Sequence, residues 1–193
     1  GGRYLQGGFC LGSSLLYEWL RNLDGNDYDG LSMNRISEVN RLQRGHEALA
    51  ARQRRKARFF NTCMMATPLG AAVSDALEDG RVVSGVGGQY DFVSLASQLD
   101  DARSILMLRA TRIVKGRLES NIRWNYGHAT IPRHMRDIFV SEYGIADLRG
   151  KSDQECVVAM LAICEAKFQE QLVQQAVRAR KLPPGFRIPQ AWK

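Results

Sequence analysis

Arg81-Val82-Val83-Ser84-Gly85-Val86-Gly87-Gly88-Gln89-Tyr90-Asp91-Phe92 is the stretch on which the fold of this chain turns. A short apolar run, Arg81 to Ser84, leads into three glycines in four positions, and Tyr90 to Leu99 follows with the pattern of a helix. Ser104-Ile105-Leu106-Met107-Leu108 is a second short apolar run bounded by turn signals. Strand, glycine loop, helix and strand in that order predict a βαβ unit and hence a parallel pair. Glycines at the loop let backbone N–H groups approach a ligand without a Cβ in the way, at a helix start whose dipole favours negative charge. Such a loop can hold an oxyanion, although a tight strand-to-helix turn by itself also selects glycine.

Outward from the unit, the same α/β rhythm continues. Leu15, Leu16, Trp19 and Leu20 recur at helical spacing after Ser13 and Ser14, which predicts a first helix ending near Asn22. Asp24 to Asp27 and Asp29-Gly30 read as two turns before a short strand, Leu31 to Met33. Ile36 to Lys56 reads as helical, broken at Gly45, and Ala57 to Ala66 as a strand that stops at Pro68. The runs 57–66, 81–84 and 104–108 all have the composition of buried strands. Asn121 to Trp124 and Asp137 to Val140 read as further strands, Ser152 to Cys164 and Lys167 to Arg180 as amphipathic helices, and residues 181–193 as an extended tail. The order predicts one α/β layer structure.

Composition narrows the function. The 193 residues are 45% hydrophobic and 24% charged, so the chain buries a substantial core and is not disordered overall. No run of eighteen uncharged apolar residues exists to cross a membrane as a helix. Gly1 follows no Met and opens no leader sequence, and it reads as a cut end. Cys10, Cys63, Cys156 and Cys164 are few, far apart and form no C-x-x-C pair, which fits a reduced, cytoplasmic protein. Lys and Arg number 27 against 20 Asp and Glu, a net +7 that attracts an anionic partner.

Several motifs resolve into ordinary structure. The glycine loop is no dinucleotide fingerprint, because Tyr90 stands where a third glycine is needed. Gly144 to Ser152 has one residue too many between its glycines for a P-loop, whereas Ser152 with Glu155 makes a helix capping box. His128 and His134 are six apart, on different faces of any helix, so no metal site is expected. No Gly-x-Ser-x-Gly elbow supports serine hydrolase chemistry. The cluster Arg52, Arg54, Arg55, Lys56 and Arg58 carries no interleaved aromatic residues, which weighs against nucleic acid and for a solvated helix face or the rim of an anionic-cofactor pocket.

Ser84 to Phe92, Glu142-Tyr143-Gly144-Ile145-Ala146-Asp147-Leu148-Arg149-Gly150-Lys151-Ser152, and Phe60-Asn61-Thr62 together resemble the C-terminal domain of the acetyl-CoA hydrolase/transferase family. The resemblance covers nearly the whole chain, residues 1–193. It implies a three-layer α/β/α domain with a mainly parallel sheet, of the NagB/RpiA/CoA-transferase-like type (CoA-transferase family I). It further implies acyl-CoA hydrolase or acyl-CoA:carboxylate CoA-transferase activity. In that family a glutamate attacks the acyl-CoA, giving an anhydride and then a glutamyl-CoA thioester that a carboxylate or water resolves.

Carried over by residue, the resemblance makes Gly88 and Gly87 the oxyanion donors and Asn40, in Ser37-Glu38-Val39-Asn40, an active-site residue. Asn61, Ser84, Gly85 and Gln89 are expected around coenzyme A, with no metal. The family's nucleophilic glutamate would precede the segment that Gly8 to Ser13 resembles, upstream of this chain, so these residues alone are expected to be inactive. Expected partners are an acyl-CoA, a small carboxylate, the N-terminal domain of the same polypeptide and a second copy in a homo-oligomer. Met64 to Gly70 replaces an acidic, glycine-containing stretch of the family and is expected to alter the CoA-side wall. That substitution motivates the alternative of a non-catalytic CoA- or partner-binding relative of the same fold.

Overall fold

The computed structural model describes residues 2–42 and 45–192. They form two compact units, divided between Gln53 and Arg54.

The first unit opens with β1 (Leu5–Gly7), α1 (Ser14–Arg21), α2 (Gly25–Gly30) and β2 (Leu31–Met33). β1 and β2 pair in parallel, Leu5 opposite Leu31. The two turns expected at 24–30 are instead the single short helix α2, because Asp24 caps it by accepting the Asp27 N–H at 2.8 Å. Gly30, at the end of α2, lies under the Tyr4 ring, and a Cβ there would fall 1.9 Å from Tyr4 Cε1. Glycine is therefore required where the chain re-enters the β pair. α3 (Ile36–Asn40) and α4 (Glu47–Gln53) complete the unit. Gly45, at φ +82°, lies between them, as the expected break requires.

The second unit holds the sheet. β3 (Arg58–Thr62) is followed by the antiparallel pair β4 (Met65–Ala66) and β5 (Ala72–Val73), then α5 (Gln89–Gln98) and β6 (Arg103–Met107). Next come a hairpin of β7 (Thr111–Val114) and β8 (Arg117–Ser120), a 3₁₀ turn at Arg133–Met135, β9 (Ile138–Ser141) and β10 (Gly144–Asp147). Helices α6 (Asp153–Ala162) and α7 (Ala166–Arg178) follow, and the tail adds a 3₁₀ turn at Gln190–Trp192. The main sheet runs β10-β9-β6-β3, parallel except for β10. This is the α/β fold with a mainly parallel sheet that the sequence predicts.

The βαβ unit is present, but its first strand is β3. Arg81–Ser84 is not a strand: Val82 makes one bridge to Ala76, and Val82 and Val83 are 76% and 51% exposed. The run 57–66 divides into β3 and β4, and β3 alternates between exposed and half-buried positions instead of being buried throughout. Asn121–Trp124 is also not a strand, since Ile122 makes only a single bridge to Ala66. Met65 and Ala66 are core residues at 1% exposure each, so Met64–Gly70 is apolar because it packs inside the unit.

One face of the sheet makes the core. The register row Asn61, Leu106, Phe139 and Ala146 turns the same way, and Leu106, Phe139 and Ala146 pack with Val93 of α5, Met160 and Leu161 of α6, and Leu172 of α7. Phe59 stacks on Phe92 at 5.5 Å between ring centroids. On the opposite face Phe60 and Ile145, at the two edges, are 61% and 71% exposed, while Ile105 between them is 8% exposed. α6 begins with the predicted capping box: Ser152 Oγ accepts from the Glu155 N–H, and Glu155 Oε2 accepts from the Ser152 N–H at 2.8 Å.

Charge fixes the amino-terminal ends of the strands. Asp137, just before β9, is buried; its carboxylate receives Arg103 Nε at 2.7 Å, Arg149 Nη2 at 2.6 Å and the Ser104 N–H at 2.7 Å. Three donors from two segments converge on one carboxylate, so Asp137→Ala should destabilise the protein by roughly 1–3 kcal/mol, since it leaves the buried Ser104 N–H without its acceptor and takes one carboxylate from Arg103 and Arg149. Urea unfolding checks this; a loss below about 1 kcal/mol would contradict it.

Asp153, at the start of α6, is held below the usual carboxylate range by Lys181 Nζ at 2.7 Å, with Arg136 and Arg133 adding to it against the opposing effect of burial. A depressed folded pKa gives stability that is present above about pH 4 and lost as pH falls through the folded value. The stability gap between the native protein and Asp153→Asn should thus be constant from pH 7 to 5 and close below about pH 4 in denaturant titrations.

Candidate functional site

Because β3, β6 and β9 are parallel, Thr62, Met107 and Ser141 end at one rim of the sheet. Ligands of open α/β sheets bind outside such carboxyl ends. A cavity of about 610 Å³ opens there, lined by Thr62, Cys63, Met107, Leu108, Arg109, Val140, Ser141 and Glu142.

The glycine loop joins this rim through one side chain. Gln89, the first residue of α5 and 6% exposed, donates from Nε2 to the Thr62 carbonyl at 2.7 Å. That bond pins the N-terminus of α5 to the end of β3. Gly88 is the N-cap at φ −86°, and no side chain caps the helix. Gly87 stands at φ +61° with nothing within 4 Å of its would-be Cβ, so glycine is needed there for backbone conformation and not for space. The N–H groups of Gly85, Val86, Gly87 and Gly88 have no hydrogen-bond partner among the described residues. Residues 84–87 are exposed, and Ser84 Oγ turns back to the Gly85 carbonyl at 3.0 Å. Open N–H groups at a helix start are donors whose field favours negative charge.

Ser84, Gly85, Gly87, Gly88 and Gln89 thus lie together on the loop. Asn61 lies one residue inside the rim on β3, on the helix-covered face, and its buried Nδ2 has no partner among the described residues. Gln89 Oε1 is buried and unpartnered in the same sense. Asn40 belongs to the other compact unit, where it closes α3 at 2% exposure with Oδ1 unpartnered among the described residues. Of the basic cluster, Arg58 caps chain ends, donating to the carbonyls of Lys56, Ala57 and Asp101.

Three residues at the rim escaped the sequence reading. Arg109 is exposed, and its guanidinium has no partner among the described residues. Glu142 is exposed and accepts the Ala110 N–H on Oε2 at 2.9 Å. Cys63 is 8% exposed, and burial pushes its thiol up to about 12, so it is a neutral wall of the cavity and not a nucleophile. The signal that finds all three is position: each follows the carboxyl end of a strand by one or two residues. Among the described residues no group of three His, Cys, Asp or Glu is placed to hold a metal ion. His128 instead faces Asp75 Oδ1 at 3.0 Å, while His134 is exposed on the 3₁₀ turn.

The acetyl-CoA hydrolase/transferase C-terminal domain family matches residues 12–176. The chain belongs to that family. It is 28% identical over 171 residues to a probable butyrate:acetyl-CoA coenzyme A-transferase of Syntrophomonas wolfei, covering 87% of this chain and 36% of that protein. It is 25% identical over 169 residues to the 4-hydroxybutyrate coenzyme A transferase of Clostridium kluyveri, covering 86% and 36% respectively. The crystal structure of RipA from Yersinia pestis superposes with a TM-score of 0.74 at 25% identity, over 93% of this chain and 38% of that one. A 4-hydroxybutyrate CoA-transferase from Porphyromonas gingivalis shares the fold, at TM-score 0.61 and 22% identity, over 88% and 35%. The chain spans about a third of the length of these curated relatives.

The cysteines provide a direct check on the burial of this rim. With limiting iodoacetamide at pH 8, exposed Cys10 should be alkylated first, and Cys63, Cys156 and Cys164 should react only in denaturant. Peptide mass mapping reads the order, and early labelling of Cys63 would contradict the rim described above.

Proposed function

We propose that this chain is part of an acyl-CoA:carboxylate CoA-transferase or acetyl-CoA hydrolase and supplies the oxyanion-binding side of its active site. The observation that carries the reading is the uncapped start of α5 on its glycine loop, pinned by Gln89 beside a cavity at the carboxyl rim. In this reading a glutamate carboxylate, from sequence preceding Gly1, attacks the thioester carbonyl of an acyl-CoA. CoA thiolate leaves as the acyl-glutamyl anhydride forms, then attacks the glutamyl carbonyl of that anhydride. The carboxylate of the acyl group leaves, and the enzyme holds CoA as a glutamyl thioester. A second carboxylate, or water, resolves it.

Each step builds negative charge on a carbonyl oxygen, and the Gly88 or Gly87 N–H, with the α5 dipole behind it, is oriented to receive that charge without reorganising. Arg109 adds a cation at the rim that suits the phosphates of coenzyme A or the incoming carboxylate. Asn40 is assigned to the same site on the strength of the family resemblance, as are the N-terminal part of the polypeptide, assembly as a homo-oligomer and a cytoplasmic location.

The test is intact mass of the full-length polypeptide after incubation with acetyl-CoA and no acceptor, with thiol release followed in parallel. A CoA-sized adduct that is lost when the upstream glutamate becomes Ala is the expected result. Residues 1–193 alone should release no thiol. Gly87→Ala should cut adduct formation at least tenfold while costing roughly 1–2 kcal/mol of stability from left-handed strain. A folded protein giving neither adduct nor thiol would sink the acetyl-CoA reading and favour the non-catalytic relative.

A further inference from the structure

A second cavity, of about 770 Å³, lies at the opposite end of the strands from the glycine loop. Its walls come from the C-terminal half of α5, the start of β6, the 3₁₀ turn before β9 and the residues between β10 and α6. Its lining residues on α5, Val93, Ala96 and Ser97, lie four to eight positions after Gln89, roughly 6–12 Å along the helix from the loop. The proposed transfer reaction makes no use of it.

Its charge is unbalanced in one direction. Two carboxylates line it, and both are already matched: Asp137 by Arg103 and Arg149, Asp153 by Lys181 and Arg136. Four lining cations, Arg133, Arg136, Arg149 and Lys151, face these two carboxylates. Arg133 is the third and longest ion pair of Asp153, at 3.6 Å and outside hydrogen-bond range, with its side chain 58% exposed. Among the described residues Lys151 Nζ donates only to the Asp147 carbonyl, at 2.6 Å. The acids nearest Lys151 are themselves engaged, Asp147 by Arg103 at 2.6 Å and Glu155 by the Ser152 N–H at 2.8 Å.

Ser104 supplies the independent observation. It lines the same cavity at 2% exposure, its N–H is spent on Asp137, and its Oγ has no hydrogen-bond partner among the described residues. A buried hydroxyl without a partner costs stability unless something satisfies it. Ser104, Arg133 and Lys151 line the one cavity, and each carries a group that donates to an oxyanion. The volume exceeds what one phosphate fills and falls in the range of small-molecule sites.

We propose that this cavity binds a phosphorylated small molecule, with its phosphate between Arg133, Lys151 and Ser104. The assignment does not rest on the transfer reaction at the other rim. The full-length protein is titrated calorimetrically with inorganic pyrophosphate at low salt. Saturable binding is expected, weakened at least tenfold in an Arg133→Gln, Lys151→Met double variant and retained in Arg109→Gln, which removes the cation at the glycine-loop rim. Arg133 is exposed and Lys151 half-buried, and circular dichroism checks that the double variant is folded. No saturable heat at millimolar pyrophosphate, survival of the heat in the double variant, or its loss in Arg109→Gln would each overturn the assignment.

Discussion

Parallel pairing of β3 with β6 and of β6 with β9 is the constraint from which the rest follows. Parallel strands cannot be joined by tight turns, so each return must cross the sheet, and here α5 makes the crossover between β3 and β6. All three chains then leave the sheet at one rim and enter it at the other. Everything that follows a strand, including Cys63, Arg109 and Glu142, is gathered at the carboxyl rim. Everything that precedes one, including Asp137, is gathered at the amino rim. The antiparallel edge strand β10 turns the chain back, so that Arg149 joins Arg103 on Asp137.

The two rims treat their helix ends in opposite ways, and the contrast is informative. α6 begins with a reciprocal capping box that satisfies its own first donors and places two acids in its first turn. α5 begins on glycine with no side-chain cap, where a Ser or Asp at position 88 would add only a few tenths of a kcal/mol, roughly 0.3. A protein that caps one helix fully and leaves another open has its open N–H groups where an anion can reach them. The loop is exposed and the helix start is fixed by Gln89, so the donors are both accessible and oriented.

Much of this was legible in the sequence. The periodicity of α5, α6 and α7, the strands β6 and β9 and the Ser152–Glu155 cap all sit where pattern and capping chemistry put them. The errors share a cause. Val82 and Val83 have strand propensity but no neighbouring strand, and propensity without a partner does not make a sheet. Ile122 reads as strand for the same reason and makes one bridge. The β7–β8 hairpin went unread because its turn is Lys115-Gly116, with φ of 49° and 76°, in place of the usual Asn-Gly or Asp-Gly. β10 was hidden inside a motif read for its chemistry. The glycine loop was found from local composition, whereas Arg109 and Glu142 become visible only once strand order is known, because what unites them is the rim.

Buried polar atoms without partners sharpen the same picture. Interiors leave few such groups, since each costs about 1–3 kcal/mol. In the sheet unit the buried side-chain atoms without a partner among the described residues are Asn61 Nδ2, Ser74 Oγ, Gln89 Oε1, Ser104 Oγ and Asn121 Oδ1. Gln89 is instructive, because its amide does two separable things. Its Nε2 is spent on the Thr62 carbonyl and fixes the helix, while Oε1 is left as an acceptor beside the open loop. A leucine of similar volume would pack as well but hold nothing in place, and a glutamate would put a negative charge at the very helix end whose value lies in attracting one. An amide is the side chain that can anchor the loop and leave its field intact.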